Sequence, residues 1–180
     1  MNTLEKFIDG VRSVWGPLSS EVVAGCQQHL ETLVNSPASE QWLATLHLEA
    51  SERRELHRDA EHGFVLLAHT ESTGLYRPPH DHGRAWVIYA VQQGAIEVTT
   101  YGRIEDPDGN TKLVRRAATV IWAGQSQLYL PGDIHDTRCI DGPALLFRFT
   151  ERDLKKEEKE AGRLTRYVDQ AGSWIPGTGL

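Results

Sequence analysis

At 180 residues, 39% hydrophobic and 24% charged, the chain has the make-up of a soluble globular protein large enough for a single substantial core. A formal net charge of −6 and the lack of any basic stripe argue against a nucleic-acid partner, and no apolar window is long enough to span a bilayer. Two distant cysteines, Cys26 and Cys139, make no disulfide framework, and Glu5 and Asp9 interrupt the N-terminal apolar residues, so no signal peptide is expected and the cytoplasm is the expected compartment.

Leu4, Phe7, Ile8, Val11, Val14 and Trp15 recur at helical spacing until Gly16-Pro17 stops them. Ser19 or Ser20 can cap a second helix, whose apolar stripe is Val22, Cys26, Leu30 and Leu33. Ser36-Pro37 has the form of an N-cap followed by a first helical residue, opening a third helix through Trp42, Leu43 and Leu46. Residues 1–50 are therefore expected as a helical layer packed on the rest of the chain.

From Arg53 the pattern changes to strands. Arg54–Leu56 and Phe64–Thr70 flank a hairpin turn at Asp59–Gly63. Ala85–Val91 is an unbroken apolar run, expected to be buried on both faces and closed by a turn at Gln92-Gln93-Gly94. Ala95–Arg103, Leu113–Trp122, Gln127–Leu130, Ile134–Ile140 and Ala144–Thr150 come next, with a turn at Asp106–Asn110. Short strands punctuated by Gly, Pro and Asp over residues 51–150 predict a mainly β sandwich or jelly-roll barrel with an internal cavity. Residues 151–180 read as a charged surface helix, Glu151–Arg166, and a loose or docking tail, Gly172–Leu180.

The chemistry concentrates in Gly74–Gly94. His80 and His82, one residue apart in an extended segment stiffened by Pro78 and Pro79, would present both imidazoles on one face, and paired imidazoles on a rigid support suit a metal. His135, in Leu130-Pro-Gly-Asp-Ile-His135, is the best third ligand. Three neutral imidazoles leave the charge of a divalent ion uncompensated and one side of its coordination sphere open, which suits Fe(II), Ni(II), Cu(II) or Zn(II) and favours substrates that bind as anions. His29, His47, His57, His62 and His69 read as ordinary core or surface histidines.

Gly74, five residues, His80-x-His82 and then Gly94 resemble the first motif of the cupin superfamily, and Pro131-Gly132-x-x-His135 resembles the second. Where most cupins carry a glutamate, seven residues before the closing glycine, this chain has Val87. The resulting three-histidine set is similar to that of cysteine dioxygenase and the other thiol dioxygenases, over roughly residues 50–150. The resemblance implies a cupin barrel, Fe(II) as cofactor with Zn, Ni or Mn as alternatives, and oxidation of a small carboxylate-bearing substrate, a thiol by analogy, with dioxygen as partner. It places Arg54, 26 residues before His80, where that family grips the substrate carboxylate. It also implies a homodimer, since cupins often pair through their sheets. The chain departs from the family at the cysteine–tyrosine crosslink, whose partners fall on Val87 and Thr150, and at the supporting serine and histidine, which fall on Leu146 and Arg148. Other reactions of the same fold (lyase, isomerase or hydratase chemistry) and a non-enzymatic ligand-binding cupin stand as alternatives.

Further site candidates emerge from parity. Leu146, Arg148 and Thr150 share a strand face, and Arg148 there either meets solvent or binds an anion in the cavity. Tyr89 shares parity with Val87 and could donate a hydrogen bond or relay a proton, with Tyr76 and Tyr129 as weaker candidates. Arg53 should point opposite to Arg54, Trp86 and Trp122 read as core, Cys139 as an inert thiol, and Glu97 as an ion-pair residue on the next strand.

Overall fold

The structure, a computed structural model, describes residues 1–160 and 162–177. Helix α1 (Thr3–Val14) opens on a capping box in which Asn2 accepts from the Glu5 backbone N–H and Glu5 reaches back to Asn2. Helix α2 (Ser20–Val34) is capped by Ser19, whose side chain accepts from the Val22 N–H. Helix α3 spans Gln41–Glu49 and starts later than the Ser36-Pro37 pattern predicts. The Ser36 hydroxyl is already used: it donates to the Leu33 carbonyl at 2.6 Å and lies 2.8 Å from Thr3 Oγ1, so it closes α2 instead of capping α3. A turn closed by the Glu40 N–H on the Pro37 carbonyl separates the two helices.

Nine strands complete the described chain with one short helix: β1 (Arg54–Arg58), β2 (Val65–Glu71), β3 (Tyr76–His80), β4 (Val87–Glu105), β5 (Thr111–Trp122), β6 (Ser126–Tyr129), β7 (Ile134–Thr150), β8 (Tyr167–Gln170) and β9 (Ser173–Pro176). Strands β1 to β7 form one antiparallel system in the order β1-β2-β7-β4-β5, with β3 also on β7 and β6 also on β4. Two strands are long because each serves two sheets. The second half of β7 pairs with β2 and with the first half of β4, from Val87↔Thr150 to Gln93↔Leu145. The first half of β7 pairs with β3 and with the second half of β4, from Ala95↔Asp141 to Tyr101↔Ile134. This is a jelly-roll barrel, mainly β, with an α-helical layer on one side, as the strand pattern predicts.

The sequence pattern divides both long strands at their middle, and here the structure differs. Gln92-Gln93-Gly94 does not end a strand; the ladder runs through it with register shifts at Val91/Gln93, Gln93/Ala95 and Ala95/Ile96. Bulges of this kind bend a strand without ending it. Gly94 sits at the bend with φ +78°, and a Cβ there would lie 2.2 Å from the Asp141 carbonyl oxygen, so only glycine lets β4 cross β7 at that point.

Alternate residues of the β4, β2 and β7 segments face opposite ways. Ile88, Ala90, Leu66, Ala68, Phe147 and Phe149 pack against Phe7, Val11, Leu30 and Leu43 of the helices. Val87, Tyr89, Val91 and Leu146 face the barrel interior with Ile96, Val98, Ile121 and Cys139 of the other sheet. Burial on both faces is why Ala85–Val91 reads as a continuous apolar run. Trp122, expected in the core, is 53% exposed at the end of the edge strand β5.

Among the described residues of the expected helix over Glu151–Arg166, Leu154–Lys159 (α4) is the helical part. It is not a free surface element either. Glu157 is buried and receives Arg152 at 3.0 Å, Arg84 at 3.4 Å and Arg163 at 3.7 Å, which pins α4 to the barrel. The expected tail is in part the β8–β9 hairpin, and its residues 178–180 lie outside the described ones. No helix among the described residues is long and apolar enough to cross a membrane.

The Gly94 crossing yields a paired prediction. Gly94→Ala should lower stability by more than the ~1–3 kcal/mol of an unfavourable backbone conformation alone, because a contact clash is added. Gly63→Ala, with φ +83° but nothing within 4 Å of its Cβ, should show only the backbone cost. Urea denaturation of the two variants checks this; equal losses would contradict the close-crossing account.

Candidate metal centre

His80 ends β3 and stands directly opposite His135, the second residue of β7. His82 lies two residues beyond the end of β3, in the turn that leads to β4. The two histidines of the His-x-His pair therefore do not converge by strand alternation as the sequence suggests. The chain leaves the strand after His80, and the turn at Asp81–Arg84 brings the second ring in. The outcome is a near-equilateral cluster, with ring centroids 5.1 Å (His80–His82), 5.0 Å (His80–His135) and 5.0 Å (His82–His135) apart.

The three rings offer ligand atoms that all lie within 4.8 Å of one another, a group able to hold one metal ion. His80 Nδ1 is 2.8 Å from the Pro78 carbonyl, which can only accept, so Nδ1 carries the proton and Nε2 presents its lone pair. Nε2 of His82 and Nε2 of His135 lie 3.4 Å and 3.3 Å from the same Tyr89 hydroxyl, so both nitrogens face one space. Burial pushes the pKa of all three imidazoles down, for His82 and His135 well below the ordinary value, with the neighbouring rings adding to the effect. Neutral imidazoles with converging lone pairs are the form a divalent cation requires. The donor set thus fits a mononuclear metal.

The loop is held from outside. Asp81, buried between the two histidines, accepts the Gly83 N–H at 3.0 Å and the Thr165 N–H at 3.0 Å, while its own N–H donates to the Thr165 carbonyl at 3.0 Å. Arg103 lies 3.6 Å from its second oxygen. A bridge between His80 and Arg166 continues the same contact. The segment after α4, expected as solvent-facing helix, is thereby strapped along the ligand-bearing loop.

His80 and His82 line a cavity of about 470 Å³ between the two sheets, and His135 is fully buried against them. Tyr89, Leu146 and Arg148 are on its wall, with Arg148 directly across the ladder from Tyr89. Burial pushes the Tyr89 hydroxyl up to about 12, so it stays a protonated donor at neutral pH. Thr150 is buried opposite Val87 and is not on that wall. Arg54, expected to anchor a carboxylate, is turned away. Its register partner is Ala68, on the helix-facing side of the sheet, and its guanidinium pairs with Glu49 at the end of α3. Arg53, one residue earlier and of opposite parity, lines the cavity in its place.

The remaining candidates have structural surroundings. Tyr76 donates to Asp136 at 3.0 Å, and Tyr129 packs its ring 4.2 Å from that of His135. Cys139 is a buried thiol donating to the Glu71 carbonyl, and Glu97, opposite Arg138, does not line the cavity. Several wall residues carry no sequence signal, among them His69, Glu71, Arg77 and Arg166. His69 is held down to about 3 by burial, with Arg148 nearby, and is neutral. Strand parity with Leu146 and Ala144 places His69 and Glu71 inward, but only once β2 is known to pair with β7.

No protein-family profile matches the sequence, and no curated protein matches it. Solved structures do resemble it. KdgF from Halomonas sp. is 18% identical over 54% of this chain and 74% of its own, with a TM-score of 0.43. The cupin domain of Schizosaccharomyces pombe Cnp3 is 14% identical over 61% and 69%, with a TM-score of 0.44. BH2720 from Bacillus halodurans is 14% identical over 64% and 81%, with a TM-score of 0.48. These likenesses are remote, and the chemistry of the centre is read from its own side chains.

Asp81 supplies the prediction. Asp81→Ala should weaken metal binding by about 10–100-fold through loss of ligand orientation, with the three histidines intact. Metal titration followed by calorimetry checks this; unchanged affinity would contradict the strap.

Proposed function

We infer that the protein is a metal-dependent cupin enzyme, an Fe(II) dioxygenase that oxidises a small anionic, carboxylate-bearing molecule. The observation that carries this reading is the convergence of three neutral histidines, with no carboxylate ligand among them and two of them on the wall of a cavity rich in arginine. A metal held by His80, His82 and His135 would keep its full positive charge, which would favour a substrate that arrives as an anion, and as Fe(II) it would supply reactivity toward dioxygen. The chain's own residues do the rest. Tyr89, protonated and beside two of the ligand nitrogens, is placed to donate a hydrogen bond to whatever reacts there. Arg148 and Arg53 take over the anchoring role that the motif spacing assigns to Arg54, since a guanidinium offers a carboxylate two parallel bonds. Leu146 and Leu154 keep part of the wall apolar and limit water. A thiol remains the substrate suggested by motif resemblance.

The test is metal content of protein purified without added metal, together with oxygen uptake on a panel of small thiol and non-thiol carboxylates. The expected result is iron near one per chain and uptake on at least one member, abolished in His82→Ala. Zinc, nickel or manganese at the site, with turnover that needs no oxygen, would replace the dioxygenase reading by lyase, isomerase or hydratase chemistry. A protein that takes up no metal would be a ligand-binding module.

A further inference from the structure

The charges on the cavity wall are unevenly matched. Two of its cations already have carboxylates: Arg77 pairs with Glu71 at 3.1 Å and Arg166 with Glu158 at 2.5 Å. Three do not. Arg148, Arg53 and Lys155 also line the cavity, and none of them forms an ion pair among the described residues. The same three also line a recess of about 20 Å³ between β2, the end of β7 and α4, room for little more than a water, so a larger group that meets all three sits at that end of the main cavity. The recess has other charged residues, but these are already matched to each other, Arg58 with Asp153 at 2.6 Å.

Arg148 sits deepest. It stands between Leu67 and Tyr89 in the ladder, and its Nε is buried with no hydrogen-bond partner. A buried guanidinium donor left unpaired is costly, and the cost is recovered when an oxyanion fills the place. Arg53 and Lys155 are exposed and flank it from the residue before β1 and from α4. In a chain of net charge −6, three cations without an ion pair at one end of the cavity form a local reversal of sign. A single carboxylate can occupy the fork of Arg148 but leaves Arg53 and Lys155 unneutralised.

We propose that the end of the cavity bordered by Arg148, Arg53 and Lys155 is a subsite for a doubly charged oxyanion group, so that the substrate carries a dianionic end there and presents its reacting end to the three histidines. The proposal rests on the metal-dependent reading of the site and narrows its substrate class. The shared chemistry is two negative charges within the span of one small group, available from a phosphate or phosphonate head or from two closely spaced carboxylates. Arg148 lies across one rung from Tyr89, and Tyr89 touches His82 and His135, so one small molecule within the 470 Å³ cavity reaches both ends.

The test is calorimetric titration of the full-length protein, as purified and after metal removal, with inorganic phosphate, malonate and acetate at slightly alkaline pH. Phosphate or malonate should bind at least about tenfold tighter than acetate, the difference expected for an added charge-assisted contact. Phosphate as the tighter ligand assigns a tetrahedral head, and malonate as the tighter one assigns a dicarboxylate. Arg148→Gln should abolish the preference. Arg53→Gln and Lys155→Gln, at exposed positions that the fold does not depend on, should each reduce it. Acetate binding as tightly as both dianions, or affinities untouched by Arg53→Gln and Lys155→Gln, would overturn the subsite. Its failure is separable from failure of the metal reading: the metal-loaded protein would show no dianion preference in the first case, and in the second a protein that takes up no metal would still show it.

Discussion

The bend shared by β4 and β7 is the constraint on which the molecule depends. Each strand leaves one sheet and enters the other at the same level, where Gly94 passes the Asp141 carbonyl too closely for any side chain. Because β7 serves both sheets, its early residue His135 packs against His80 and His82, which line the same cavity as its late residue Arg148. Because β4 does the same, the Tyr89 hydroxyl reaches the histidines from the opposite wall. The three histidines, the Tyr89 hydroxyl and the Arg148 guanidinium are thus brought together by backbone crossing, with the ladder hydrogen bonds fixing their relative heights.

A second layer of control lies outside the barrel. Asp81 and Glu157 are both buried carboxylates that bind the C-terminal segment to the barrel, one at the loop between the histidines and one beneath α4. Asp81 accepts two backbone N–H groups and Glu157 faces three arginines, and such partners offset the cost of burying a carboxylate. The segment after the barrel therefore contributes to the site twice: Thr165 steadies the ligand loop, and Lys155, Glu158 and Arg166 shape the cavity entrance.

Much of this is legible in the chain. The strand punctuation predicts the jelly roll, and the three histidines stand out by spacing and context alone. What the sequence hides is parity and continuity. Gln92-Gln93-Gly94 carries every mark of a turn, and only the partner strand shows that it is a bulge in a longer one. Arg53 and Arg54 are chemically identical neighbours. Which of them faces the cavity depends on the pairing of Arg54 with Ala68, information that resides in β2 and not in β1. The run of charge after Glu151 reads as a solvated helix because nothing in it announces that Glu157 will be buried among arginines. His69 and Glu71 escape notice for the same reason, since their exposure is set by strand pairing that no local pattern encodes.

The measurement that bears most directly on the whole account is titration of metal-stripped protein with Co(II), monitored by visible absorption, for the parent chain and for His135→Ala. The account predicts saturation at one ion per chain with the spectrum of a nitrogen-ligated ion, lost in the variant although its fold persists by circular dichroism. Binding that does not saturate, or that survives the loss of His135 unchanged, would contradict a metal centre built from these three histidines.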